Sequence, residues 1–247
     1  MPHRLTPSAM YASLHSYLDE LAESGVDGLP LVEAEPAVAP QPADVTAVSR
    51  QERVPQTLAE VRQWLGDCQR CDLAATRTKL VFGSGNPQAR LMFVGEAPGA
   101  DEDRRGEPFV GESGALLTRI IGAMGLKREQ VYICSVLKCR LPVNRHPHKD
   151  EIERCVPFLT HQIRLIGPEL IVALGTLAAQ TLLQSKEPIS QLRGQFHSYH
   201  GIPVMPTFHP SFLQHHQENK ELFWEVWGDM TQVLARLNLP VPEKRRK

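Results

Sequence analysis

Leu91-Met92-Phe93-Val94-Gly95-Glu96-Ala97-Pro98-Gly99 joins a short, continuous apolar run to a glycine-rich turn, and the reading of that junction decides the fold class. Four apolar residues in succession suit a strand buried on both faces, because a strand with one wet face alternates apolar and polar residues. Three later runs have the same character: Val131-Tyr132-Ile133-Cys134, Leu170-Ile171-Val172-Ala173-Leu174 and Pro203-Val204-Met205. Helical patterns fit between them, over residues 115–124 ending at Gly125, 150–166 ending at Gly167-Pro168, and 176–183. The order β-α-β-α-β-α-β predicts the α/β class, with three layers α/β/α around a central four-stranded parallel sheet. Chemistry is then expected in the loops beyond the carboxyl ends of the strands.

Outward from this core the chain changes in kind. Of 247 residues 42% are hydrophobic and 22% charged, enough for one ordinary core. No stretch approaches the roughly 20 apolar residues of a membrane helix, and no basic head precedes an apolar signal core, so no membrane association and a cytoplasmic location are expected. Residues 1–55 carry three Arg against eight Asp and Glu, so with a chain net of −1 the remainder carries +4. A mildly basic body is compatible with nucleic acid and equally with a solvated mixed surface.

Met10, Leu14, Tyr17, Leu18 and Leu21 recur at helical spacing before Gly25, which predicts an amphipathic helix over residues 1–25 whose apolar face calls for a cover such as a protein partner. Residues 26–55 lack aromatics and are punctuated by Pro30, Pro36, Pro40, Pro42 and Pro55, as in a disordered tether. Residues 56–240 form the expected globular domain, and 241–247 a basic tail. Nothing in the sequence sets an oligomeric state, so a monomer is the default.

Three loop features carry chemistry. After the first strand come Gly95 to Gly99 and then Gly106-Glu107-Pro108-Phe109-Val110-Gly111, a glycine-rich entry to a helix that can offer backbone N–H groups to an anion. It lacks the Gly-Lys-Ser/Thr ending of a phosphate-binding loop and the Gly-x-Gly-x-x-Gly spacing of dinucleotide binders. After the last strand comes Thr207-Phe208-His209-Pro210-Ser211-Phe212-Leu213, with a histidine that is either catalytic or simply packed. Cys68 and Cys71 form a C-x2-C pair, and Cys139 and Cys155 complete a set of four thiols suited to zinc or an iron–sulfur cluster. Cys134, inside an apolar strand, reads as core.

Taken together, Gly95-Glu96-Ala97-Pro98-Gly99, Gly106-x-Pro108-Phe109-Val110-Gly111, Lys138-Cys139-Arg140-x-Pro142-x-Asn144-Arg145 and Thr207-Phe208-His209-Pro210 resemble the family 4 uracil-DNA glycosylases, from about Cys68 to Leu237. The resemblance implies a [4Fe-4S] cluster on Cys68, Cys71, Cys139 and Cys155 and excision of uracil from DNA by base flipping. It implies that His209 faces the uracil O2 as an electrophile, stabilising the anion of the departing base, while Phe109 stacks on the flipped ring. Leu213 falls where the family inserts an apolar wedge. Glu96 is implied near the sugar, Glu102 near the uracil edge, and Asn144 as the group that positions water.

Ala97 occupies the place where other families of this fold have a water-holding Asp. Where the family usually carries an Asn that pairs with the uracil edge, this chain has Ser135, whose shorter side chain predicts looser base selectivity. Lys138, Arg140 and Arg145, with His146, His148 and Lys149, form a basic run expected on DNA phosphates. The rivals are a catalytically weakened iron–sulfur nucleic-acid-binding module, a glycosylase of altered specificity, and a zinc-stabilised protein of unrelated activity. The glycosylase reading requires that the turns at Glu96 and His209 meet over one pocket.

Overall fold

The computed structural model describes residues 54–142 and 145–242. The expected N-terminal helix, nearly all of the tether, Asn144 and most of the basic tail lie outside the described residues. Elements are numbered over the described chain. Helix α1 is Leu58–Leu65, and the two-residue strand β1 is Ser84–Gly85. Strand β2 (Leu91–Gly95) leads through helices α2 (Ala100–Arg105) and α3 (Glu112–Ala123) to β3 (Tyr132–Ser135). Helix α4 (Lys149–Ile166) returns to β4 (Leu170–Leu174), followed by α5 (Thr176–Leu183) and the short α6 (Ile189–Leu192). Strands β5 (His197–Tyr199) and β6 (Ile202–Thr207) precede α7 (Pro210–His215) and α8 (Lys220–Arg236).

The class is α/β, as expected, but the sheet is mixed and six-stranded, in the order β1-β3-β2-β4-β6-β5. Its inner four strands are the parallel set read from the sequence. The edges β1 and β5 pair antiparallel and were not expected, because two or three partly exposed residues carry no periodic signal.

The continuous apolar runs partition between two faces by strand alternation. Leu91, Phe93, Ile133, Leu170, Val172, Leu174 and Met205 pack under α3, α7 and α8. Met92, Val94, Tyr132, Cys134, Ile171, Ala173 and Val204 pack under α4, α5 and α6. Every one of these positions is buried, so the hydrophobic driving force acts on both faces at once. Helix α1 adds a smaller cluster, laying Val61 and Leu65 against Phe158 of α4 and Phe82. No described helix is long and apolar enough to cross a membrane.

Candidate functional site

All four parallel strands end at one cavity. Its volume is about 810 Å³, in the range of small-ligand sites, and its wall takes Glu96 and Ala97 after β2, Ser135 at the end of β3, Gly175 and Thr176 after β4, and Phe208 and His209 after β6. The turns at Glu96 and His209 therefore do meet over one pocket. Register explains the convergence: Gly95 lies beside Ser135 and Leu174 beside Thr207, so the strands finish level and their loops crowd together.

Phe109 forms part of the wall under strain. Its φ of 53° is in the left-handed region that non-glycine residues avoid, and its side chain is nevertheless buried. Two close approaches hold it. A Cβ at Gly95 would lie 2.5 Å from the Phe109 Cζ, and one at Gly114 would lie 2.0 Å from its backbone. Only glycine at these points lets the ring lie across the end of β2. The Phe109 and His209 rings face each other with centroids 5.6 Å apart.

Glu102 does something other than meet a base edge. It is buried, and one carboxylate oxygen accepts from the Gly99 N–H at 3.0 Å while the other accepts from Val110 and Gly111 at 2.8 and 2.9 Å. These bonds clamp the loop that carries Phe109. The anion acts here as a fixed acceptor for backbone donors that would otherwise be buried unmet.

His209 caps α7. Its Nδ1 accepts the backbone N–H of Ser211 at 3.2 Å and lies 2.7 Å from the Ser211 hydroxyl. An accepting Nδ1 assigns the single proton of a neutral imidazole to Nε2, leaving that N–H as the donor. Burial pushes its pKa down to about 4 against the opposing field of Glu102, so the ring is neutral at physiological pH. Burial likewise raises the Glu96 carboxyl, with His146 acting in the opposite direction. Ser211 was missed by the sequence reading, although a serine two residues after a helix-capping residue is a local signal.

Two expectations are corrected. Leu213, expected as an exposed wedge, has no exposed surface and packs in the core beneath α3, α7 and α8. It points inward because α7 turns that face onto the body; its neighbour Phe212 is the exposed side chain. Lys138, expected on phosphate, is fully buried, and its Nζ donates to the Ser135 carbonyl and to Gln162 Oε1, both at 2.7 Å. A cation with no water exposure and two internal acceptors cannot reach DNA. Arg145 forms a bidentate pair with Glu151 at 2.8 and 2.6 Å, whereas Arg140 is half-buried at the start of the same loop.

The four cysteines also converge. Cys68, Cys71, Cys139 and Cys155 line one small cavity beside the apolar Leu65, Leu73 and Leu137, with Arg70 and Lys138 in the same wall. None is in a disulfide. Burial pushes the thiols of Cys139 and Cys155 up to about 12 and 11, and the sulfurs raise one another's pKa further. Such thiols ionise when a soft cation arrives. Arg70 Nη1 donates to the Cys68 sulfur at 3.3 Å and Arg77 Nη1 to the Cys139 sulfur at 3.8 Å, contacts the sequence reading did not anticipate. Among the described residues no group of three or more His, Cys, Asp or Glu side chains is arranged to hold a single metal ion. The donor set therefore fits a wider thiolate-bound body better than a lone ion.

Residues 82–231 match the family model of the uracil DNA glycosylase superfamily. The type-4 uracil-DNA glycosylase of Thermotoga maritima is 45% identical over 155 residues, covering 62% of this chain and 81% of the relative. The chain belongs to the type-4 uracil-DNA glycosylase family. The type-4 uracil-DNA glycosylases of Archaeoglobus fulgidus and Saccharolobus solfataricus are each 40% identical, over 67% and 68% of this chain and 87% and 82% of the relatives. The part matched by the superfamily model runs from just before β1 into α8, so it takes in every strand end that walls the cavity.

Proposed function

We propose that this type-4 family member hydrolyses the N-glycosidic bond of uracil in DNA, leaving an abasic site. The observation that carries the reading is the convergence of Glu96, Phe109 and His209 on one cavity at the strand ends. Cleaving that bond leaves negative charge on the departing base, which a positioned donor stabilises most where water is excluded. His209 is such a donor: a neutral ring whose Nε2–H remains available because Ser211 occupies Nδ1.

In this mechanism the extruded base lies against Phe109, whose ring cannot turn away because Gly95, Gly114 and the Glu102 clamp hold it. His209 donates to the uracil O2 as the bond breaks. Glu96, kept partly in its acid-prone range by burial, lies at the sugar side, and Asn144 orients the water that attacks there. Arg140 and the outer edge of Arg145 are the proposed phosphate contacts. Ser135 at the end of β3 favours a second reading within the same chemistry, a glycosylase with relaxed base choice, since a hydroxyl gives one donor where an amide gives a fork.

Cys68, Cys71, Cys139 and Cys155 would hold a [4Fe-4S] cluster, with Arg70 and Arg77 donating to its sulfurs. Its contribution when bound is mechanical: it ties the segment before the sheet to the loop after β3 and to α4. A DNA substrate keeps the cytoplasm as the proposed location. The test is release of uracil from a single-stranded oligonucleotide by the full chain, with His209→Gln alongside. Release that falls by about a hundredfold or more in the variant supports the reading. An unaltered rate removes His209 from catalysis, and no release by the wild type removes the activity.

A further inference from the structure

The mouth of the cavity carries an aromatic ladder that the proposed mechanism does not use. Phe208, Phe212 and His216 succeed one another at four-residue spacing, so they rise on one side of α7. The Phe208 and Phe212 ring centroids are 5.1 Å apart with planes tilted by 32°, and those of Phe212 and His216 are 4.3 Å apart with a tilt of 37°. The His216 Nδ1 bonds the Phe212 carbonyl at 2.9 Å, which orients the imidazole over the ring. At the inner end the Arg193 guanidinium lies 5.1 Å from the Phe208 centroid and supports it from behind.

Two observations separate this ladder from ordinary packing. Phe212 is 37% exposed while its neighbour Leu213 is wholly buried, so α7 already has its core anchor and Phe212 is left at the surface. Phe208 and Phe212 both line the cavity, so the ladder begins inside the pocket and ends in solvent. A row of rings running out of a base-sized pocket matches the chemistry of unpaired nucleobases, whose flat faces stack on aromatic side chains whatever their identity.

We propose that Phe208, Phe212 and His216 form a stacking subsite for the unpaired bases that flank the extruded nucleotide, so that the protein engages a single-stranded stretch of DNA. The occupancy of the pocket by an extruded base rests on the glycosylase reading; the ladder itself requires only a single strand. A stacked neighbour fills the gap beside the vacated position, the part expected of Leu213. It also selects substrates whose flanking bases are unpaired, because a base held in a duplex presents only its edge.

The experiment is a coupling measurement with the full chain. Binding of single-stranded oligonucleotides containing one non-cleavable 2′-fluorodeoxyuridine is followed by fluorescence anisotropy, with the flanking nucleotides either intact or replaced by abasic spacers. Phe212→Ala weakens binding to the intact strand by about 5- to 100-fold, the range of one lost base–aromatic stack. Abasic flanks weaken wild-type binding by a similar factor and cost the variant little more, because ring and base act as one pair. Phe212→Trp restores the affinity, and His216→Ala loses part of it. Equal cost of abasic flanks in wild type and Phe212→Ala overturns the proposal, as does Phe212→Ala binding at wild-type strength. Uracil release from a cleavable copy of the strand reads the glycosylase activity separately, so its failure leaves the stacking result standing.

Discussion

Replacing Glu102 with alanine tests whether that carboxylate acts on the base or on the loop. In the structure it accepts three backbone N–H groups, from Gly99, Val110 and Gly111, and the last two flank the left-handed Phe109. Three orphaned donors at about 1 kcal/mol each, the low end because the loop can open to water, set the cost. Release of about 1 kcal/mol as Phe109 leaves its strained conformation offsets part of it. The net loss is about 2 kcal/mol, which for a domain of this size lowers Tm by about 4 to 8 °C. Phe109 then leaves the face of the base, and a displacement on the order of 1 Å costs about a hundredfold in rate.

The assays are a thermal melt and single-turnover uracil release at saturating protein. Glu102→Gln keeps one acceptor oxygen and presents an amide to the donors it no longer satisfies, so it melts below the wild type too. A hundredfold rate loss in Glu102→Ala with an unchanged Tm would refute the clamp and return Glu102 to direct contact with the uracil.

Lys138→Met leaves the Ser135 carbonyl and Gln162 Oε1 without their donor inside the core, a loss of about 2 to 5 kcal/mol in denaturant unfolding, while the salt dependence of DNA binding keeps its slope because no phosphate contact is removed. His209 has its folded pKa depressed to about 4 from an ordinary 6.5, so its contribution to stability is complete above pH 6.5 and is lost as the pH falls toward 4. Single-turnover rates accordingly show no inflection near 6.5 in a pH profile, and one there would contradict a neutral ring. Ser135→Asn raises the preference for uracil over hypoxanthine and xanthine in competitive excision by about 5- to 100-fold, the worth of one bidentate pair, and an unchanged ratio excludes position 135 from base choice. Cys139→Ser, purified without oxygen, loses the visible absorption of an iron–sulfur cluster and melts earlier; retained absorption would remove Cys139 from the ligand set.

Much of the architecture could be read along the chain because its cause is local. Leu91–Val94 and Leu170–Leu174 are continuous apolar runs since both their faces are covered, and helices fill the intervals that parallel strands require. Helix α8 went unremarked although Leu222, Phe223, Val226, Trp227, Met230, Val233 and Leu234 repeat on one face, so its signal was present in the sequence. Strands β1 and β5 had none, being too short for a period to form. Cys68, Cys71, Cys139 and Cys155 were picked out by residue type, because soft ligands announce their chemistry in any fold.

What the sequence determined by itself is which residue types sit at the strand ends: a histidine, an acid, an aromatic and four thiols, each legible because its chemistry travels with its side chain. What only the tertiary structure decided is which way those side chains face. Lys138 and Arg140 are two apart, yet one is sealed in the core and the other is half-exposed; Phe212 and Leu213 are adjacent, yet one is in solvent and the other beneath α3. Direction depends on what packs against each segment from far along the chain, and a buried charge or an exposed ring is settled by those distant contacts rather than by its neighbours in sequence.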